Sequence, residues 1–404
     1  MNPSETTVRV KSIGIAMGLT FPLSVKYMLK HRDMKKVIRY GICICTYTGQ
    51  ARATTLDTSW LDRAFSDVIG VAKYFRKMSC GRQFVEWVVF PYTQDIMTID
   101  EKRALEKIVA KTTHPWDEIE PTWRAALAKG IPVNTVDRVI FVIDEPSSRA
   151  GTTHAGTKTD SHTFLAANDI RPNVICHEMG HAFGLPHADQ AQNDDYGDSY
   201  CVMGGRGPNP GLEFKNPRLT VKTGLDSHDG TGPGICTPYL SKLGWIDSSV
   251  NANHIYVNET TPDLVTGDLT GTIYANQGGL PVGSTKRIAL IVEPLPIPMS
   301  TIIHDSQYWI EYRIPQGFDQ KIFDPPDKKD YAQGALLLRE VVSPHSYDVM
   351  SPHTYDPYHS YYFYWTPIKK DQILRLPKLN YVIKITDFDS AAQGVSYSFE
   401  KPPK

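Results

Sequence analysis

The run His177-Glu178-Met179-Gly180-His181-Ala182-Phe183-Gly184-Leu185-Pro186-His187 spaces three imidazoles and one carboxylate as H-E-x-x-H-x-x-G-x-x-H. His177 and His181 stand four residues apart, so a helix presents both on one face, where they can grip one ion. Glu178 is turned about 100° from His177 on that helix, which sets its carboxylate to hold a water beside the metal instead of ligating it. Gly184 tolerates positive φ and can end the helix in a turn. Such a turn returns His187 as a third ligand and leaves a fourth position for water. Three neutral imidazoles suit Zn²⁺, at about 2.0–2.1 Å each. The chemistry implied is hydrolysis by water. The metal polarises a carbonyl, and Glu178 is the general base that relays the proton to the leaving amine. No nucleophilic serine or cysteine is required. A bare H-E-x-x-H arises by accident, but five fixed positions with a glycine stop very rarely do.

Downstream runs Tyr196-Gly197-Asp198-Ser199-Tyr200-Cys201-Val202-Met203-Gly204-Gly205, with Met203 next to glycine. The two motifs together resemble the metzincin clan of zinc metallopeptidases, which implies that Met203 forms a hydrophobic floor under the imidazoles. The Y-G-D-x-x-C-V-M-G run is most similar to the gametolysin (autolysin) family. Leu243-Gly244-Trp245-Ile246 and Tyr308-Trp309-Ile310-Glu311-Tyr312-Arg313 are also similar to that family and to immune-inhibitor-A-type peptidases. The strong resemblance covers roughly residues 170–250. It implies a zinc endopeptidase acting on protein or peptide substrates, with extracellular-matrix or cell-wall proteins as the substrate class. It also implies an edge strand that pairs with extended substrate; Ser161–Ala167 alternates weakly as an edge strand would, giving Phe164, Leu165 and Ala166 that role. Two other readings fit the residues. One is a catalytically silent protease-like binding or particle-structural protein, whose usual mark is loss of Glu178 or of a ligand. The other is a zinc hydrolase acting on a non-peptide bond.

The elements that must carry these groups are legible in part. Residues 37–47 read as a buried strand, 59–78 as a helix (Leu61, Phe65, Val68, Ile69, Ala72, Phe75) stopped by Gly81, and 84–92 as a second strand. Helices follow at 99–111 and 117–129, then a strongly apolar strand at 136–143. Residues 151–160 read as a polar loop, 172–183 as the metal helix, 189–235 as a long loop and 239–243 as a short helix. This order implies an α+β, metzincin-like catalytic domain: a twisted mixed sheet with helices packed on it. Beyond residue 250, strands at 287–292, 308–313, 335–342, 361–365, 381–386 and 395–400 between Pro/Gly turns point to a mainly β C-terminal sandwich. The expected division is an N-terminal extension at 1–35, a catalytic domain at 36–250 and a sandwich at 251–404.

The chain has 404 residues and a formal net charge of −1 with histidines neutral, so no global field recruits nucleic acid. No stretch reaches the ~18 apolar residues of a transmembrane helix. The apolar run at 12–21 lacks a convincing small-residue cleavage site, so there is no clear signal peptide. The expected location is extracellular or packaged in a particle. Six cysteines permit three bridges. Cys43 and Cys45 share one face of a strand and do not pair with each other. A bridge between Cys201 and Cys236 and a set of buried free thiols both remain open. Asn193, Asp194, Asp195 and Asp198 offer oxygen ligands to Ca²⁺, with a solvated acidic loop as the alternative.

Overall fold

The apolar runs of the first half assemble into one five-stranded sheet. In the computed structural model the described residues are 36–49, 61, 64–67, 70–91, 93, 95–98, 100–101, 119–144, 151–153, 163–166, 172–190, 198, 200–204, 233–258, 265–295, 306–319, 333–342, 359–376 and 379–402. β1 (Lys36–Cys45) leads to α1 (Val71–Met78), β2 (Gln83–Val89), α2 (Ile119–Ala128), β3 (Arg138–Ile143), β4 (Gly151–Thr153) and β5 (Thr163–Ala166). The strand order is β2-β1-β3-β5-β4. All neighbours are parallel except β4, which runs antiparallel to β5. β3 is buried at every residue, as a strand covered on both faces must be. One face packs Ile42, Ile44, Ile140, Val142 and Leu165 against α1 and the motif helix. The other packs Cys43, Cys45, Val139 and Phe141 against Ala126 of α2.

The edge-strand expectation for Phe164–Ala166 needs correction. β5 is paired on both sides, to β3 and to β4. Phe164 stacks on Phe141 at 5.2 Å, in the core on the far side of the sheet from the motif helix. Leu165 is buried in the near core. Among the described residues the outer strand on this side is β4, which lies in the stretch expected to be loop. Three residues of Gly and Thr carry too little alternation to register as a strand.

The motif helix α3 (Pro172–Ala182) starts on a proline, whose fixed φ and missing N–H suit a first helical turn. Ile175, Cys176, Met179 and Ala182 turn its apolar side to the core. β6 (Ala188–Gln190), α4 (Thr237–Lys242) and α5 (Ser248–Asn251) follow. The Leu243-Gly244-Trp245-Ile246 run closes α4. Gly244 takes φ +69°, and Trp245 packs edge-on to Phe75 of α1 and to Phe183 just past α3. Arg82 caps this corner by donating to Gly244 O (3.3 Å), to Leu280 O (2.7 Å) and to Trp245 O.

Apart from a 3-10 turn at Gly317–Asp319, the described elements of the second half are strands: β7 (Ala252–Asn258), β8 (Val265–Gly267), β9 (Thr270–Tyr274), β10 (Ala289–Leu295), β11 (Ser306–Arg313), β12 (Ala335–Val342), β13 (His359–Pro367), β14 (Ile373–Arg375), β15 (Val382–Asp389) and β16 (Gly394–Glu400). They form a seven-stranded sheet, β6-β13-β12-β11-β10-β7-β8, and a four-stranded sheet, β14-β15-β16-β9. Both sheets contribute to one core, in which Leu290, Ile310, Tyr312 and Leu338 meet Ile273, Ile383, Val395 and Tyr397. Over the described residues the chain is thus α+β, with mixed sheets, few helices and mostly strand. Lys35–Lys404 form one compact unit. Its halves share a strand: β6, directly after the third histidine, pairs in parallel with β13. None of the described helices is long and apolar enough to cross a membrane.

Candidate metal centre

α3 ends where the sequence requires. Gly184 adopts φ +84°, Leu185 N–H reaches back to Gly180 O (3.0 Å), and Gly184 N–H to His181 O (2.8 Å). This pair of bonds is a Schellman closure, which reverses the chain and returns His187 to the helix face. A Cβ at Gly184 meets open space, so a Gly184→Ala chain suffers only backbone strain. It should lose about 1–2 kcal/mol of stability, seen as a lower denaturant midpoint, while binding metal as the parent does.

The three imidazoles converge. Ring centroids lie 4.7 Å apart for His177 and His181, 4.6 Å for His181 and His187, and 5.4 Å for His177 and His187. One ligand nitrogen from each lies within 4.8 Å of the others. His177 Nδ1 bonds Val202 O at 2.8 Å, and His181 Nδ1 bonds Leu185 O at 2.7 Å. A carbonyl oxygen only accepts, so both Nδ1 atoms carry the proton and both Nε2 atoms present lone pairs. Those two Nε2 atoms face each other at 3.1 Å. Two lone pairs at that distance repel unless a cation lies between them. Nitrogens of a tetrahedral zinc site stand ~3.3 Å apart, so this pair is already at ligating separation. Burial holds the His177 imidazole below its usual range. It depresses His181 further, helped by the neighbouring His177 and His187 rings. The neutral, metal-binding forms are therefore favoured. The group could bind a metal ion, and its all-imidazole donor set suits a borderline transition metal over Ca²⁺ or Mg²⁺.

Glu178 follows His177 in α3 and is buried, at 6 % exposure. Met203 lies under the helix: it is fully buried, and a Cβ on Gly180 would run into its Sδ. That close approach explains a glycine inside the helix, where it otherwise costs ~1 kcal/mol. The turn does more than floor the site. Val202, beside Met203, supplies the carbonyl that orients His177, and Met203 O accepts from Ala188 N–H (3.0 Å), next to His187. Tyr239 of α4 donates its hydroxyl to His187 O at 2.8 Å. Sequence reasoning missed Val202 because its contribution is a main-chain atom, which no residue type advertises.

Two expectations change at the turn. Asp198 is fully buried; one carboxylate oxygen accepts from Tyr200 N–H (2.8 Å) and the other pairs with Arg339. It is neither a solvated loop acid nor an open Ca²⁺ ligand; Asn193, Asp194 and Asp195 lie outside the described residues. All six cysteines are free. Cys201 and Cys236 are buried in hydrogen-bond contact. Burial raises both thiols, but donation from Cys236 brings Cys201 below its ordinary value and leaves Cys236 well above.

No protein-family model matches the sequence, and no curated protein does. Among solved structures, one similar chain is described as "Structure of a chaperone-substrate complex". It has a TM-score of 0.27 and 15% identity, over 42% of this chain and 28% of that one. So short and loose a likeness carries no argument about fold or function.

Proposed function

We propose that this chain is a zinc-dependent endopeptidase of metzincin type, closest in its motifs to the gametolysin family. The observation that carries the reading is the pair of Nε2 lone pairs 3.1 Å apart, each fixed by a carbonyl on Nδ1, with a third imidazole beside them. A metal ion between the two lone pairs relieves their repulsion, and the alternative, a proton shared between the two rings, is opposed by the burial that keeps both imidazoles neutral. His177, His181 and His187 would hold the ion, which when bound supplies Lewis acidity toward a water and a scissile carbonyl. Glu178 takes the proton of the attacking water and hands it to the leaving amine. Met203 and Val202 keep the imidazoles rigid from below. Extended substrate pairs along β4, whose outer side carries no strand among the described residues. This assignment replaces Phe164, Leu165 and Ala166, whose strand is paired on both sides.

Structural proteins of an extracellular matrix or cell wall are the proposed substrates, with the enzyme extracellular or packaged in a particle. A silent protease-like protein is the less favoured reading, since Glu178 and all three histidines are retained. Digestion of a denatured protein with and without a strong zinc chelator tests the proposal. The expected result is internal cleavage that chelation abolishes and added zinc restores. A zinc-supplied chain that leaves the substrate intact, or cleaves it equally under chelation, overturns it.

A further inference from the structure

The Tyr308–Arg313 run and β12 place Glu311, Arg313, Arg339 and Glu340 in the protein interior, a costly arrangement that needs a reason. Arg313 and Arg339 are at most 1 % exposed, and Glu311 is fully buried. Arg339 clasps Glu311 Oε1 (2.9 and 3.0 Å) and, on its other side, Asp198. Arg313 forks onto Asp319 with two 2.6 Å bonds, and the Asp319 and Glu311 charges outweigh burial to hold it firmly cationic.

These side chains spend their remaining bonds on the backbone around the histidines. Arg313 donates to Tyr200 O (3.1 Å) and Ile235 O (3.3 Å). Asp319 accepts from Gly234 N–H at 2.9 Å; Gly234 O accepts from Val202 N–H at 3.2 Å; Val202 O holds His177. Asp198 N–H donates to Ala188 O (3.2 Å), adjoining His187. Glu311 accepts from Thr237 N–H (2.9 Å), the start of the helix whose Tyr239 holds His187 O. Three routes run from β11 and β12 to the metal-site histidines, one to the His177 imidazole and two to the backbone at His187.

We infer that the C-terminal sheet is the brace of the metal centre, with Arg339 and Arg313 as positioning residues for His177 and His187 through Asp198, Asp319 and the Met203 turn. The inference rests on the metal reading above and assigns the second half of the chain a role in that site. Ligand-orienting partners of this kind typically set metal affinity by about 10–100-fold.

The test uses the full chain and the variants Arg339→Gln, Asp198→Asn and Arg339→Lys. Zinc affinity is read by competition with a chromogenic chelator, ligand geometry by the visible spectrum of the Co²⁺-loaded chain, and folding by circular dichroism. Arg339→Gln and Asp198→Asn should bind zinc about 10–100-fold more weakly with a shifted Co²⁺ spectrum. Their combination should cost no more than the worse single change, and Arg339→Lys should recover part of the loss. A variant that unfolds alone and refolds on zinc addition counts as weakened. Variants with parental affinity and spectrum overturn the inference, as does a chain that stays unfolded in saturating zinc, because the network would then serve the whole fold. A parent chain that binds no zinc overturns the metal reading itself, a distinct outcome.

Discussion

Replacing Glu178 with glutamine should leave zinc bound and slow peptide hydrolysis by about 10²–10⁴-fold, the usual worth of a general base. The substitution preserves shape at a site only 6 % exposed. It removes the one feature the proton relay needs, a carboxylate able to accept. The three imidazoles are untouched, so metal content should match the parent and kcat should fall far more than KM rises. Metal analysis beside steady-state kinetics on one cleaved peptide gives the answer. Equal cleavage by variant and parent would remove Glu178 from the mechanism.

His181→Ala should empty the centre. His181 faces His177 Nε2 at 3.1 Å and its ring centroid is 4.6 Å from that of His187, so it is the ligand common to both close pairs. Without it two imidazoles remain and no closed three-point cage exists. The loss should exceed the about 10–100-fold that follows removal of an outer partner. After dialysis the parent is expected to retain one zinc per chain and the variant none, with hydrolysis lost in step. A His181→Ala chain still carrying its zinc would end the three-histidine assignment.

The site was legible in the sequence because its logic is local. Four-residue spacing on a helix and one glycine in the left-handed region suffice to bring His177, His181 and His187 together. Strands such as β1, β3 and β12 were equally plain, since long apolar runs have few alternatives. What escaped was non-local or short. β4 and β6 have three residues each and show no period. β7 opens with Ala-Asn-His, which dilutes the apolar signal. Asp198 looked like one acid among several in a Gly/Asp/Asn loop, and nothing nearby reveals that Arg339 pairs with it. The one available hint was the reverse observation: Arg339 and Glu340 interrupt Ala-Leu-Leu-Leu…Val-Val, and a charge inside so apolar a strand needs a buried partner.

The clasp between Asp198 and Arg339 also sets a clock on synthesis. Ribosomes release the histidines about 150 residues ahead of Arg339, an interval of about 8–30 s at about 5–20 residues per second. Throughout that delay the growing chain has its three histidines but not the Asp198–Arg339 pair. If this brace governs metal retention, the centre matures only after β12 has been made, well after its histidines.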